Sequence, residues 1–337
     1  MSETTGPASA NGSPLNHVPQ PGVPTTPTPK PGVSRGGGPS GDASAGGGRG
    51  GRNSSGGRPR WRDLAELVRA PAALSVPGDT IAGAAAAGGV RPATPVLAAA
   101  SVCLYWGGMA ANDWADRDVD ARERPRRPIP SGRVRPKHAL LTAAGLTAAG
   151  IGIAALSGGR RAAAVAVPLA GAVWAYDLWA KNTAAGPAFM AACRGLDVLL
   201  GASGGRMRDA APAAMTVAAH TYTVTALSRR EVEGATPALP LTTLAGTVAL
   251  AAATAGRKPG PAGLLAAWYA TGYGGAQIRA AAGPTPGRVR AAVGAGITDL
   301  PTLQGALTAK AGSAAYGIGL ALVAPLARRL ARKVSPT

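Results

Sequence analysis

Apolar stretches recur along the chain from residue 63 onward, and short polar or charged segments separate them. Each stretch has about 17 to 23 residues, which is long enough for a helix to cross the ~30 Å hydrocarbon layer of a bilayer. The pattern therefore predicts an all-α polytopic membrane bundle. We predict nine transmembrane helices in this bundle, at 64–86, 93–111, 138–157, 162–180, 186–204, 211–228, 239–255, 260–280 and 310–327.

One further segment, residues 288–309, is long enough to cross a membrane but carries Asp299 and Pro301. A charged side chain is costly in hydrocarbon, and a proline inside a helix removes a backbone hydrogen bond. We expect this segment to be a poor spanning helix, and the sequence leaves open whether it crosses.

Residues 1–60 differ in composition, since Gly, Pro, Ser, Thr and Asn dominate them. Such a segment buries too little apolar surface to offset the entropy of ordering, so we predict that it is disordered. One interpretation is a basic tether to anionic lipid, and the other is a tolerated low-complexity extension. The predicted organisation is a tail at 1–60, a transmembrane domain at 61–330 and a short basic tail at 331–337.

Composition favours a membrane protein over a soluble domain. Of the 337 residues 46% are apolar, yet the aromatic residues are only six Trp, six Tyr and one Phe, while 49 residues are Gly. The net charge of +19 does not indicate nucleic-acid binding, because Lys and Arg lie mainly in the tail and the loops. By the positive-inside rule, the tail and the loops after even-numbered helices face the cytoplasm. The abundance of Ala, Gly and Arg favours a bacterial source.

The segment after the second predicted helix reads NDWADRDVDARERPRRPIPSG and holds five carboxylates and five arginines. Asn112, Asp116 and Asp120 are four residues apart, so they share one face if the helix continues. Stacked carboxylates repel one another unless a cation lies between them, and oxygen ligands suit Mg²⁺ that is shared with substrate phosphates. The spacing therefore predicts a Mg²⁺ site, with Asp113 and Asp118 turned towards solvent or arginines.

The basic half of this segment complements the acidic half. Arg124, Arg126 and Arg127 carry fork-shaped guanidinium groups that fit a diphosphate. Three prolines in the same stretch prevent further helix and fix a loop. Acidic residues that hold a metal beside basic residues that hold phosphate indicate a diphosphate site. The alternative is a solvated charged loop, which is the usual explanation of a charge run alone.

This segment resembles the first aspartate-rich motif of the UbiA superfamily of intramembrane prenyltransferases, Asn-Asp-x-x-Asp-x-x-x-Asp followed by Arg-Pro-(Ile/Leu)-Pro-x-Gly. LVRAPAALSVPGDTIAG (67–83) is similar to the family's opening helix, and WAYDLWAKNTAAGP (174–187) to its Tyr-Asp-x-x-x-Lys segment. The resemblance implies nine helices around a central cavity capped by cytosolic loops. It also implies that a prenyl diphosphate ionises with help from Mg²⁺ and that a lipophilic, often aromatic acceptor traps the allylic cation.

Polar residues near the ends of the fourth and fifth predicted helices are further candidates for substrate binding. Lys181 is expected to bind phosphate as a point charge, with Asp177 as its structural partner. Tyr176 is expected beside the substrate, and anchoring at the membrane interface is its other interpretation. Arg194 and Asp197, three residues apart, are expected to pair and either to line the substrate site or to fix helix packing.

The second aspartate motif of the family, Asp-x-x-x-Asp, is altered in this chain. The matching stretch is SRREVEGATPA, in which Glu231 takes the first position and Ala235, which has no ligand atom, the second. Glu231 is the remaining metal-ligand candidate there. Ala235 favours the alternative of a weakened member that binds or transports an isoprenoid or other hydrophobic metabolite. RGLDVLLGAS and SRREVEG are similar to the EboC-like branch of the superfamily.

A single histidine, His220, lies within the sixth predicted helix. A lone histidine on an apolar helix is usually satisfied by a neighbouring backbone carbonyl. We therefore expect a structural role for His220 rather than general-base catalysis.

Overall fold

The structure, a computed structural model, describes residues 59–69, 75–256 and 259–325. Those ranges are helical and contain no strand, so the all-α prediction is confirmed for them. The predicted tails lie outside the described residues, apart from residues 59 and 60. The helices are α1 (Trp61–Leu67), α2 (Val76–Ala86), α3 (Thr94–Ala115), α4 (Arg117–Glu123), α5 (Pro136–Leu178), α6 (Gly186–Ala202), α7 (Ala211–Ser228), α8 (Ala238–Ala255), α9 (Pro261–Tyr269), α10 (Gly275–Ala282), α11 (Pro286–Lys310) and α12 (Ala314–Ala321).

Most helix boundaries lie close to those predicted from hydropathy. The sixth predicted helix, 211–228, coincides with α7, and the seventh differs from α8 by one residue at its start. The first predicted helix consists of α1 and α2, with residues 70–74 between them outside the described ranges. The eighth predicted helix corresponds to three consecutive elements, namely α9, a π-helical turn at Ala270–Gly274 and α10.

The third and fourth predicted helices are the two halves of α5, which has 43 residues. A straight helix of that length would measure about 65 Å, roughly twice the hydrocarbon thickness. The helix breaks at Gly159, where φ is 65° and ψ is −157°, a conformation that glycine adopts readily because it lacks a Cβ. The halves lie side by side, since Trp174 Nε1 donates a hydrogen bond to Thr147 Oγ1 at 3.0 Å.

Helix α11 contains residues 288–309, the segment for which the sequence leaves membrane crossing open. It is a regular helix of 25 residues that continues through Pro301, and every residue from Asp299 to Thr308 is buried. The polar side chains of this half lie inside the bundle, but α11 is not among the helices apolar enough to cross a membrane, so the expectation of a poor spanning helix stays a prediction. The predicted ninth span at 310–327 begins where α11 ends, and its helix α12 has only eight residues.

Three helices in the described ranges, α3, α5 and α8, are long and apolar enough to cross a membrane by length and composition. The other helices in the described ranges are too short or not apolar enough by the same measure. The count of nine spans is not confirmed and stays a prediction.

The close approach of α3 to α5 positions the candidate site. A Cβ added at Gly108 would lie 2.5 Å from Val173 Cγ1 and 3.1 Å from Asp177 Oδ2. Only glycine therefore allows α3 to pack this tightly against the second half of α5. This contact brings the end of α3 beside the end of α5, where the charged residues of the two predicted motifs meet.

Substitution of this glycine should separate the two helices. We expect Gly108→Ala to destabilise the protein by about 1–3 kcal/mol, because the added methyl group overpacks a tight contact. Thermal unfolding of the purified protein in detergent measures the change. Gly145→Ala, in α5 with no atom within 4 Å of the added Cβ, is the matched control. Gly145→Ala should stabilise the helix by about 0.5–1 kcal/mol. If both variants change the free energy of unfolding by the same amount, the contact at Gly108 is not tight.

Candidate active site

The first acidic motif keeps its helical spacing across the junction of α3 and α4. The backbone N–H of Asp116 donates to the carbonyl of Asn112 at 2.9 Å, and that of Asp120 donates to the carbonyl of Asp116 at 2.8 Å. These four-residue hydrogen bonds keep the three residues in one row, as the spacing predicted. Their side chains nevertheless divide between two groups of partners.

Asn112 and Asp116 face the end of α5 and the 3₁₀ turn Ala180–Asn182 that follows it. Asn112 Nδ2 donates to Asp177 Oδ1 at 3.0 Å. Lys181 Nζ donates to Asp116 Oδ1 at 2.6 Å. Lys181 thus lies at the acidic motif, as expected for a phosphate-binding residue. Its partner is Asp116 rather than the predicted Asp177, which binds the Asn112 amide instead.

Asp120 belongs to an arginine network on the other side of the row. Arg127 Nη1 lies 2.6 Å from Asp120 Oδ2 and 3.1 Å from Asp113 Oδ1. Arg69 Nη2 lies 2.8 Å from the same oxygen of Asp113. Arg124 is more distant, with Nη1 3.7 Å from Asp120 Oδ1, and its side chain is largely exposed. The carboxylates of Asp113 and Asp120 are both buried. A buried charge is costly unless it is paired, and these arginines supply the compensating positive charge.

Two members of this network were not selected from the sequence as site residues. Asp113 was predicted to face solvent or arginines, and it contacts arginines while being only 4% exposed. Arg69 adopts a φ of 47°, the only positive φ of a non-glycine residue in the described ranges. The left-handed conformation costs an arginine about 1–2 kcal/mol. The ion pair with Asp113 helps to hold Arg69 in this strained position. The sequence feature that could have identified Arg69 is the LVRAP stretch, which begins the segment similar to the family's opening helix.

A cavity of about 200 Å³ lies between α3, the second half of α5 and α6. Its polar wall contains Arg69, Asn112 and Asp177. Gly108, Met109, Val173, Met190 and Cys193 form its apolar part, and Tyr105 and Tyr176 complete the lining. Tyr176 is therefore beside the cavity, as expected for a residue near substrate. The cavity combines an apolar interior with charged residues at one end.

The residues present are compatible with one Mg²⁺ ion. Among the described residues, no three Asp, Glu, His or Cys side chains form a ready metal cluster. Asn112 has a free amide oxygen, because its hydrogen bond to Asp177 uses Nδ2, and Asp116 uses Oδ1 for Lys181. Mg²⁺ is usually held by one or two carboxylates and substrate phosphates rather than by a complete protein cage. Asp120 fits this role less well, since both of its oxygens face arginines.

Arg194 and Asp197 do not form the predicted ion pair. Arg194 Nε lies 2.8 Å from Asp79 Oδ2 on α2, and its Nη1 donates to the Tyr105 hydroxyl at 3.1 Å. Asp197 accepts a hydrogen bond from Ser101 instead. Arg194 is 3% exposed and Asp197 is fully buried. The prediction failed because α2 packs against α6 and supplies a carboxylate closer than the one three residues along the same helix.

Glu231 lies in the turn after α7. Burial raises the pKa of the Glu231 carboxyl, and the positive charge of Arg290 opposes that rise. The cavity beside the first motif does not include Glu231 in its lining. Ala235 lines a separate cavity with Arg229 and Arg230. Among the described residues no hydrogen bond or ion pair joins Glu231 to Asn112 or Asp116, whose side chains bind Asp177 and Lys181, and Glu231 as a metal ligand stays a prediction.

His220 has the structural role that was expected. Its Nε2 lies 3.2 Å from the carbonyl oxygen of Gly296, and its Nδ1 lies 2.8 Å from the Tyr269 hydroxyl. The carbonyl can only accept, so Nε2 carries the proton and Nδ1 accepts from Tyr269. Both ring nitrogens are satisfied by buried partners, and the prediction of a backbone carbonyl partner is confirmed.

Comparison with known proteins identifies the family. The model of the UbiA prenyltransferase family matches residues 78–270, which is more than half of the chain. The chain belongs to the UbiA prenyltransferase family. The family and the apolar helices together define a membrane protein.

Individual relatives match over shorter segments. Digeranylgeranylglyceryl phosphate synthase of Methanothrix thermoacetophila is 52% identical over 64 residues, which are 19% of this chain and 24% of that protein. Chlorophyll synthase of Oryza sativa is 36% identical over 83 residues, 23% of this chain and 22% of that protein. The matches thus span about a quarter of these relatives. They do not confirm the EboC-like branch, which stays a prediction.

A solved structure from work on digeranylgeranylglyceryl phosphate synthase in membranes has the same fold. Its TM-score with this chain is 0.58 at 16% sequence identity. The similarity covers 74% of this chain and 98% of the other. At this identity the similarity establishes the shared all-α membrane fold.

Proposed function

We propose that this protein is an integral membrane prenyltransferase that moves a prenyl group from a prenyl diphosphate to a small lipophilic acceptor. The observation that carries the proposal is that Asn112 and Asp177 lie in the polar wall of an apolar cavity, and that the Asp116–Lys181 pair follows one helical turn after Asn112. A prenyl diphosphate has the same division into a charged head and an apolar tail. Family membership supports this class of reaction.

The diphosphate binds to the cations of the first motif and its neighbours. Lys181, Arg127 and Arg69 are now paired with Asp116, Asp120 and Asp113. Substrate phosphates can take over as partners of these cations, with Arg124 at the exposed edge. Guanidinium groups hold phosphate through paired hydrogen bonds, and the lysine ammonium acts as a point charge.

Mg²⁺ is the proposed cofactor, held by Asn112 and Asp116 with Asp177 adjacent. Bound Mg²⁺ would supply positive charge that stabilises the departing diphosphate. Asp120, predicted as a third ligand, positions Arg127 in this proposal. Glu231 as a metal ligand stays a prediction from the sequence.

The protein's own side chains lower the barrier for breaking the allylic C–O bond. Lys181 and Arg127 stabilise the negative charge that grows on the leaving oxygens more than they stabilise the bound substrate. Met109, Val173 and Met190 keep water away from the allylic cation. The cavity of about 200 Å³ is below the ~300–1,000 Å³ of ordinary ligand sites, so a prenyl chain must displace flexible side chains such as the two methionines.

A carrier that binds or transports an isoprenoid is the alternative. The altered second motif favours it, whereas the complete first motif with its ordered cations favours an enzyme. A carrier needs the apolar cavity but gains nothing from charges arranged to stabilise a leaving group. The enzyme is therefore the better supported of the two.

A direct assay tests the proposal. The purified full chain in lipid nanodiscs is mixed with radiolabelled geranylgeranyl or farnesyl diphosphate, a lipid extract as the source of acceptor, and Mg²⁺. We expect release of diphosphate and a labelled lipophilic product, with loss of turnover in EDTA and recovery when Mg²⁺ is added. If the labelled diphosphate is neither bound nor released, the proposed function is wrong.

Two further assignments accompany this proposal. The positive-inside pattern of Lys and Arg supports a cytoplasmic position for the acidic motif and the N-terminal tail. The composition supports a bacterial source, although the relatives described above are archaeal and plant proteins. A cysteine-accessibility assay on intact cells would test the topology.

A further inference from the structure

One arginine joins helix α1 to the basic loop, residues 124–135, between α4 and α5. This residue, Arg133, contacts Asp63 and Glu66 of α1. Its Nη1 donates to Asp63 Oδ1 at 2.8 Å and to Glu66 Oε2 at 2.6 Å, and its Nη2 donates to Glu66 Oε1 at 2.9 Å. The pair with Glu66 is therefore bidentate, which is the strong form of an arginine–carboxylate interaction. We call Arg133, Asp63 and Glu66 the clasp.

The guanidinium of Arg133 is fully used by these and two further contacts. Its Nη2 also donates to the backbone carbonyl of Arg126 at 2.8 Å, and its Nε donates to Ser131 Oγ at 3.0 Å. A guanidinium has five N–H donors, so five acceptors leave none for a substrate. Arg133 is also not among the residues that line the cavity beside the first motif. It therefore holds two protein segments together, α1 and the basic loop.

Apolar packing joins the same two segments. Leu67, the last residue of α1, is fully buried in a cluster with Ile129 and Val134 of the basic loop and Ala110 and Ala111 of α3. Hydrophobic contact is non-directional, so it brings α1 close but does not fix its rotation about its own axis. The fork-shaped pair of the clasp is directional and fixes that rotation.

The rotation of α1 matters because α1 leads directly into Arg69. This arginine lies two residues after the end of α1, lines the cavity, and has its Nη2 2.8 Å from Asp113 Oδ1. Asp113 is its one hydrogen-bond or ion-pair partner in the part of the chain that the structure describes. The φ of Arg69 is 47°, which is unfavourable for a residue with a side chain. Such a conformation persists only where the surrounding structure holds it, and α1 is the described element next to it.

The second arginine at Asp113 is held more firmly. Arg127 Nη1 contacts Asp113 Oδ1 at 3.1 Å and also Asp120 Oδ2 at 2.6 Å, so α3 and α4 both fix its position. Loss of the clasp should therefore displace Arg69 and leave Arg127 in place. The two cations of the proposed diphosphate site differ in how much they depend on α1.

We propose that Arg133 is a positioning residue of the diphosphate site, which acts through α1 to hold Arg69 at Asp113. This inference rests on the proposed prenyl transfer, and it adds a residue that touches neither substrate nor cofactor. Without the clasp, α1 turns about its axis, the backbone of Arg69 relaxes, and its guanidinium leaves the cavity wall.

Equilibrium binding of radiolabelled geranylgeranyl diphosphate tests the inference. The full chain is used in phosphatidylcholine nanodiscs, with Mg²⁺ and without an acceptor. Arg133→Gln should raise the Kd about fivefold, the size expected for loss of an ordered ion-pair network. Arg133→Lys should recover part of the affinity, because its ammonium group binds one carboxylate without forming the fork. The matched control is Arg135→Gln, which removes the same charge from an exposed side chain two residues away and should change the Kd by less than about twofold.

Glu66→Gln separates positioning from a general effect of charge. The Glu66 side chain is 50% exposed, so this variant should fold normally. It removes a negative charge, and a charge effect alone would tighten the binding of an anionic diphosphate. Positioning predicts the opposite sign, a Kd raised by about three- to fivefold, because the bidentate pair is lost. Tighter binding in Glu66→Gln would overturn the inference.

The effect of Arg133 should disappear when Arg69 is absent. In an Arg69→Gln background, Arg133→Gln should change the Kd by less than about twofold, because no cation is left for the clasp to position. If Arg133 only stabilised the fold, the two losses of affinity would multiply. Losses that multiply, or equal Kd values for Arg133→Gln and Arg135→Gln, would show that Arg133 does not act through Arg69.

Hydrogen exchange of the amides of residues 61–69 measures the clasp without any substrate. These amides should exchange faster in Arg133→Gln and Glu66→Gln than in Arg135→Gln, because α1 opens more often. Equal exchange in all three variants would mean that the clasp does not hold α1, and the inference would be wrong. Failure of the inference is distinct from failure of the proposed function. Equal binding by the Arg133 and Arg135 variants removes only the role of Arg133, whereas no binding to the unchanged protein removes the prenyltransferase and the inference with it.

Discussion

Replacing Asp116 by Asn should reduce prenyl transfer by about 10²–10³-fold, the usual effect of removing one preorganised charged group from a transition-state site. Asp116 Oδ1 lies 2.6 Å from Lys181 Nζ and is a proposed Mg²⁺ ligand, so the change affects both sources of positive charge at the leaving group. Asparagine keeps the shape and one oxygen but cannot carry the negative charge. Initial rates of diphosphate release at saturating prenyl diphosphate measure the effect.

Asp118→Asn is the matched control for this variant. It makes the same chemical change two residues away, at a side chain that is 83% exposed and 3.6 Å from Arg117. Its rate should stay within about twofold of the unchanged protein, because exposed ion pairs contribute little. In Asp116→Asn, kcat should fall more than KM rises, because the interaction of Lys181 with the substrate strengthens as charge develops on the leaving group. Equal rates of the two variants would remove Asp116 from the proposed site.

The row of acidic residues was predictable because it depends on local helical geometry. Asn112, Asp116 and Asp120 are joined by consecutive backbone hydrogen bonds, which a four-residue spacing already indicates. The presence of Lys181 near this row also followed from the sequence, through its family resemblance. Both features needed only short stretches of chain, whose periodicity or motif carries the information.

The division of the row between two sets of partners was not predictable in this way. Asn112 and Asp177 are 65 residues apart, and they meet only because Gly108 lets α3 pack closely against α5. Arg69 reaches Asp113 through a strained backbone conformation that no spacing rule indicates. Such contacts depend on how helices pack, which one sequence without an alignment specifies too weakly for a prediction.

Helix α11 illustrates a limit of hydropathy. Mean hydropathy does not distinguish lipid-facing positions from positions inside a bundle. Asp299 and Pro301 made the segment look like a poor spanning helix, yet both are buried in α11, as is the nearby Gln304. Gln304 Nε2, for example, donates to Asp79 Oδ1 at 2.6 Å on α2. A polar helix is acceptable inside a membrane protein when its polar side faces such partners.

Replacing Arg194 by Met should destabilise the protein by about 3–5 kcal/mol, the cost typical of breaking a buried ion pair by removing one partner. Arg194 is 3% exposed and binds Asp79, the Tyr105 hydroxyl and the backbone carbonyl of Ser75. Methionine fills a similar volume but leaves the Asp79 carboxylate without its cation. Denaturant or thermal unfolding of the purified protein in detergent measures the loss.

Two variants separate this effect from a general loss of an arginine. Arg206→Met removes one member of an exposed pair with Asp209, in which the arginine is 81% exposed, and should cost no more than about 0.5 kcal/mol. The double variant Asp79→Asn with Arg194→Met should recover part of the loss, because no uncompensated charge is then left at position 79. If Arg194→Met and Arg206→Met have the same free energy of unfolding, the ion pair between Arg194 and Asp79 does not stabilise the bundle. Recovery in the double variant would show that the cost comes from burying a lone carboxylate rather than from altered packing around the side chain.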